Sequence, residues 1–213
     1  MAISISSVQS AIGAGDPSVT LTVSTGDIIV ASIGIHQGSV NAVNWNGTAI
    51  TQGPTAATAF NERAQIWYSL SPATGTYSLV FDGATGGGRS IVGYVLSGVK
   101  TTGQPHKTAS NTGTSATSSV SITPTTNDCL IIDSHYSEGD FTTVGANQTE
   151  RANLQSLSYQ NAASSTTLQT TAGAEDMTWT ISSSQRWASV AIALEPDTGG
   201  AIVVKQLAAL GVG

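Results

Sequence analysis

The densest chemistry-bearing segment of the chain is Asp133-Ser-His-Tyr-Ser-Glu-Gly-Asp140. Asp133, His135, Glu138 and Asp140 offer carboxylate oxygens and an imidazole nitrogen, a donor set for a divalent cation, within one strand-to-loop segment. The same residues also read as a surface strand end and turn that uses polar side chains, and on that reading no metal or cofactor is expected. A second set is aromatic: Trp45, Trp67, Tyr68, Trp179 and Trp187 either present flat faces to sugar rings or fill a core. Trp45, at a hairpin shoulder, and Tyr68, whose neighbour Trp67 must face the other way along a strand, are the two candidates for sugar stacking.

Signatures of catalysis are missing from the sequence. It contains no Gly-x-Ser-x-Gly elbow, no phosphate-binding loop and no His-Glu-x-x-His, and His36, His106 and His135 are far apart along the chain. The single cysteine, Cys129, cannot form an internal disulfide, and in the apolar run Cys129-Leu-Ile-Ile132 it reads as a small core residue. Asn46-Gly-Thr48 and Asn147-Gln-Thr149 fit the glycosylation pattern, which a chain so rich in Thr matches by chance. A non-enzymatic protein is expected.

Composition narrows the partners. Charged residues are 9% of the chain and the net charge is −6, with seven unclustered Lys and Arg, so nucleic acid is not an expected partner. The start Met-Ala-Ile-Ser-Ile-Ser-Ser lacks a basic, then apolar, signal pattern, and no apolar run approaches the roughly 18 residues of a membrane helix. Synthesis in a cytoplasm and no membrane association are expected. Ser and Thr make up roughly a quarter of the chain, and with 23 Gly they favour strands and turns over long helices.

The elements that must position these residues are strands, and they come in two related sets. Ser18-Val-Thr-Leu-Thr-Val-Ser-Thr-Gly-Asp-Ile-Ile-Val-Ala31 matches Ser119-Val-Ser-Ile-Thr-Pro-Thr-Thr-Asn-Asp-Cys-Leu-Ile-Ile132 without a gap, as an alternating strand, a polar turn and a continuous apolar strand. Further echoes are Glu62-Arg-Ala-Gln-Ile66 with Glu150-Arg-Ala-Asn-Leu154, and Tyr77 to Phe81 with Met177 to Ile181. Asn46-Gly47 predicts a type I′ hairpin, since both residues accept positive φ. Residues 52–61 read as a loop.

These patterns predict an all-β fold, a single jelly-roll-type β-sandwich over residues 1–196 built from halves 1–99 and 119–196, each half contributing to both sheets. Residues 100–118, low in apolar side chains, read as the connection. Residues 197–213 read as a hinge and an apolar C-terminal arm, in which Ile202, Val203, Val204, Leu207 and Leu210 are candidates for contact with another subunit.

Thr25-Gly-Asp-Ile-Ile-Val-Ala31, Val43-Asn-Trp-Asn-Gly-Thr-Ala-Ile-Thr51, Ala73-Thr-Gly-Thr-Tyr77 and Trp187 to Pro196 together resemble a β-sandwich module of tailed-phage virion structural proteins, also seen in some bacterial surface proteins. The resemblance covers most of residues 18–196, rests on strands and turns, and carries over no catalytic residue. It implies a non-enzymatic virion protein, a capsid decoration or head-fibre-like protein that packs on other virion proteins and on copies of itself. The alternative is a carbohydrate-binding or adhesin module that meets a host-surface glycan.

Overall fold

The computed structural model describes residues 2–83, 87–156 and 160–199. The first half supplies β1 (Ser4–Gly13), β2 (Ser18–Val23), β3 (Ile28–Ile35), β4 (Val40–Trp45), β5 (Thr48–Ala49), β6 (Thr51–Ala57), β7 (Arg63–Ser69), β8 (Gly75–Gly83) and β9 (Arg89–Ser97). The second supplies β10 (Lys107–Ile122), β11 (Cys129–Ser137), β12 (Phe141–Val144), β13 (Thr149–Ser156), β14 (Gln160–Gln169) and β15 (Glu175–Leu194). No helix occurs among the described residues, and so none is long and apolar enough to cross a membrane.

Side-chain period decides where each strand lies. In β2, Val19, Leu21 and Val23 are buried while Ser18, Thr20 and Thr22 are exposed, the mark of a strand with one wet face. β3 and β11 are buried along their whole length, because a layer covers each of their faces. Between β4 and β5, Asn46 and Gly47 have φ of 48° and 73°, the tight hairpin that Asn-Gly predicts.

Strand order repeats between the halves. The first half forms an inner sheet β1-β9-β3-β7-β6 and an outer sheet β2-β8-β4-β5; the second forms β10-β15-β11-β14-β13, with β12 paired to β15. β10, β15, β11, β14 and β13 therefore stand where β1, β9, β3, β7 and β6 stand. Residues 107–115 of β10 pair with the C-terminal part of β15; after a break in register, residues 117–122 pair with 175–180. Each of these long strands thus passes from the inner sheet into the outer layer at an irregularity, doing the work of two strands in the first half.

The two inner sheets pack face to face, β6 across β10 and β15, and β1 across β13, in the manner of a two-fold dimer of halves. Ile28, Val30, Ile66, Tyr94 and Leu96 meet Leu130, Ile132, Val190, Ile192 and Leu194 in one shared core. A second core lies between the first inner sheet and its outer sheet, around Ile33, Val43, Trp45, Trp67, Leu79 and Phe81. In the second half the corresponding space holds two smaller clusters, one around Ile122, Ile131 and Met177 and one around Phe141, Trp179 and Ile181.

The all-β sandwich of two related halves is what is observed, and the halves divide the layers between them instead of sharing each sheet. Three finer expectations are corrected. Residues 107–118 belong to β10 and only a short segment before Lys107 connects the halves; an edge strand open to solvent can be built from Thr and Ser with few apolar residues. Residues 51–57 form β6, another edge strand, which tolerates Gly53 and Pro54 at its irregularity.

The third correction is one of register. The ungapped match sets Ile29 against Leu130, but Ile29 faces the outer sheet and Leu130 the shared core. The second turn carries one residue more, and a slip of one residue reverses the face of every side chain that follows. By the same measure Glu150 to Leu154 lies in edge strand β13, in the place of β6, and is not the counterpart of Glu62 to Ile66.

Candidate functional site

The four residues of the Asp133–Asp140 segment do not converge. Asp133 and His135 follow Cys129 and Ile131 along the outward face of β11, where period two places them under the outer layer of the second half. Both are fully buried. Glu138 lies past the strand end in a different cluster, and Asp140 is exposed, its carbonyl accepting the Ser182 N–H at 2.9 Å.

Asp133 sits at the centre of a sealed polar network between the two small apolar clusters. Its carboxylate accepts the backbone N–H of Ser165, the Ser165 hydroxyl at 2.5 Å and Gln148 Nε2 at 3.2 Å. His135 Nε2 lies 3.3 Å from Asp133 Oδ2, and His135 Nδ1 is 2.7 Å from the Ser118 hydroxyl. Ser118, His135 and Asp133 thus form a hydroxyl–imidazole–carboxylate series that no sequence motif indicated, but all three lack solvent exposure and present no face to an external substrate.

A second cluster joins the halves. Arg186 Nη2 donates to Glu62 Oε1 at 2.9 Å and to Glu138 Oε1, and its guanidinium stands 3.9 Å from the centroid of the Phe60 ring. Glu62, just before β7, is fully buried, and its other oxygen accepts the Thr58 hydroxyl. His36, just after β3, shares a 2.6 Å hydrogen bond through Nδ1 with the Tyr136 hydroxyl. His36, Glu62 and Glu138 bring one donor atom each to within 4.8 Å of one another, a set that suits a divalent cation in number and type. The Arg186 cation already holds both carboxylates.

The electrostatics of this cluster are fixed by that guanidinium. The hydrogen bond to Glu62, then the charges of Glu62 and Glu138, hold Arg186 above its ordinary value against the opposing effect of burial. Burial, and then the charges of Glu62 and Glu138, push the Tyr136 phenol well up, so it keeps its proton throughout the working range of pH.

The two sugar-stacking candidates do not present open rings. Trp45 is 2% exposed, donates from Nε1 to the Ala73 carbonyl at 2.8 Å and meets Tyr77 edge-on at 5.4 Å. It borders a depression of about 140 Å3, below the roughly 300 Å3 at which ligand pockets begin. Tyr68 is half-buried against the shared core, while its neighbour Trp67 faces the outer one. Trp45 is core because β4 belongs to the outer sheet and turns this ring toward the inner one, in the cluster that holds Ile50, Trp67 and Leu79. Among the described residues the exposed aromatic ring is Phe60, at 56%, in the turn between β6 and β7.

Of the second cluster, sequence reasoning singled out Glu138 alone. One signal was available: with so few cations in the chain, an Arg abutting the apolar run after Trp187 requires a partner close by. Ile202, Val203, Val204, Leu207 and Leu210 lie outside the described residues. The described chain approaches its end beside a hollow of about 350 Å3 lined by Ala2, Ile3, Leu168, Pro196 and others, with Leu168 51% exposed. No family model, no curated protein and no solved structure matches this chain.

Proposed function

We propose that the chain is a non-enzymatic structural protein of a tailed-phage particle, a capsid decoration or head-fibre-like protein that packs on other virion proteins and on copies of itself. The observation that carries this reading is where the chain spends its reactive groups. The Ser118–His135–Asp133 series is sealed in a core, and Glu62 and Glu138 are held by Arg186 across the two halves, so both polar clusters serve cohesion. The hydroxyl-rich, charge-poor edge strand β10 and the apolar hollow at Leu168 add surfaces suited to protein packing. The resemblance of residues 25–31, 43–51 and 73–77 to virion sandwich modules supports the same reading.

Purified particles of the phage that encodes the chain test it. Antibody against the protein labels intact particles on this reading, and truncation after Asp197 reduces incorporation while leaving the sandwich folded. Absence of the chain from purified particles overturns it.

The carbohydrate-binding reading retains one favourable observation, the exposed Phe60 ring beside Arg186 and Glu138. A glycan array compares the protein with Phe60→Ala. Binding that depends on Phe60 favours this second reading over the first.

A further inference from the structure

The sealed network of the second half brings together the parts of an acyl transfer, and from their geometry we infer that Ser165 and Gln148 react with each other to form an intramolecular ester. The nucleophile is Ser165 Oγ, whose proton is already directed to Asp133 Oδ2 at 2.5 Å. The electrophile is the Gln148 carboxamide, whose Nε2 lies 2.6 Å from that same Oγ, with the carbonyl carbon one amide bond, about 1.3 Å, beyond.

The remaining two functions are in place as well. Gln148 Oε1 accepts the backbone N–H of Thr178 at 2.8 Å, so a fixed donor meets the oxygen on which negative charge develops. Gln148 Nε2 also donates to Asp133 Oδ2, at 3.2 Å, so one carboxylate oxygen touches both the attacking and the leaving atom.

The step balances without an oxidant or a further reactant. Ser165 Oγ gives its proton to Asp133 and bonds to the Gln148 carbonyl carbon. The tetrahedral intermediate then expels the nitrogen, which takes the proton back from Asp133 and leaves as ammonia. Asp133 ends as it began. The backbone N–H of Ser165 holds the other oxygen of Asp133, and His135 Nε2 lies 3.3 Å from Asp133 Oδ2.

The surroundings suit such a reaction. Asp133 and Ser165 are fully buried and Gln148 is partly buried, which limits the access of water to the intermediate and to the finished ester. Gly145 leaves the space that Gln148 fills: a Cβ there would collide with Gln148 Oε1 and Thr178 Oγ1. The bond would tie the β12–β13 connection to β14 where the second half's core is divided into two small clusters.

The test is the mass of the full chain, with Ser165→Ala as reference. On this proposal the wild-type protein weighs about 17 Da less than its sequence requires, the mass of the ammonia lost, and Ser165→Ala shows no such deficit. Trypsin cuts after Lys107, Arg151 and Arg186, so peptides 108–151 and 152–186 are recovered as one joined species from the wild type and as two from Ser165→Ala and Asp133→Asn. Gly145→Ala, which leaves nucleophile and base in place, reduces the joined fraction. Should a variant fail to fold, the wild-type digest alone decides. A folded wild-type protein at full mass with the two peptides separate overturns the proposal, as does a deficit that maps elsewhere, for instance to Asn46-Gly47.

Discussion

The Tyr94 hydroxyl in β9 lies 2.5 Å from Ser164 Oγ in β14, a hydrogen bond between the two halves at the floor of the shared core. Ser164 has already committed its single proton to the Asp133 carbonyl, also at 2.5 Å, so Tyr94 must be the donor. Burial, with a smaller contribution from the Asp133 charge, pushes the Tyr94 phenol far above its ordinary value, and it remains a donor at any pH the fold survives. Tyr94→Phe keeps the ring and removes the hydroxyl. We expect a loss of about 1 kcal/mol in urea unfolding, seen as a lower midpoint with unchanged slope. A loss near zero would show that the bond adds nothing net.

The shared core makes a second expectation about cohesion. Lys100 precedes the short connection and is about half exposed, which makes it accessible to trypsin. After a cut there the two halves should remain together in gel filtration and part only in denaturant, because Ile28, Val30, Tyr94 and Leu96 share one core with Leu130, Ile132, Val190 and Ile192 of the other half. Halves that separate in native buffer and keep their far-ultraviolet circular dichroism would establish two independent domains.

Much of the architecture could be read from side-chain period, and the chemistry could not. β2, β3 and the Asn46-Gly47 hairpin follow from local patterns, because alternation and turn chemistry act over a few residues. The Tyr77–Met177 echo, in contrast, is two residues out of register, Leu79 and Phe81 standing where Met177 and Trp179 stand. The one-residue slip between Ile29 and Leu130 was invisible, since both faces of β3 and β11 are buried and both want apolar residues. Glu62 and Arg186 are 124 residues apart, and Ser165 and Asp133 are 32 apart; only the sheet order brings them together. Trp45 misled because a hairpin shoulder is exposed only if nothing packs over it.

Glu62 gives the third expectation. It is a fully buried carboxylate whose charge partner is Arg186, itself about a third exposed. Arg186→Met removes the cation while keeping much of the stem that covers Phe60, and leaves Glu62 buried without its ion pair. The expected cost is about 2 kcal/mol, toward the low end for breaking a buried pair because water reaches the guanidinium. Adding Glu62→Gln to Arg186→Met should recover part of that loss. Failure of the double variant to recover any stability would mean that Arg186 acts by packing alone.

Glu195 supplies the pH dependence. Its carboxyl is held below the ordinary carboxylate value, first by the hydrogen bond from Lys100 Nζ at 2.8 Å, then by the Thr126 hydroxyl at 3.1 Å and the charge of His106, with burial opposing. A carboxylate whose folded value is depressed stabilises the fold fully above its unfolded value, about 4.3, and loses that contribution as pH falls through the lower folded value. Glu195→Gln removes the charge at every pH. The stability gap between wild type and this variant should therefore narrow below about pH 4 as the wild-type carboxylate is protonated, and close in more acid solution. The measurement is a series of urea midpoints across that range. A gap that persists unchanged into strong acid would show that Glu195 contributes through shape and not through charge.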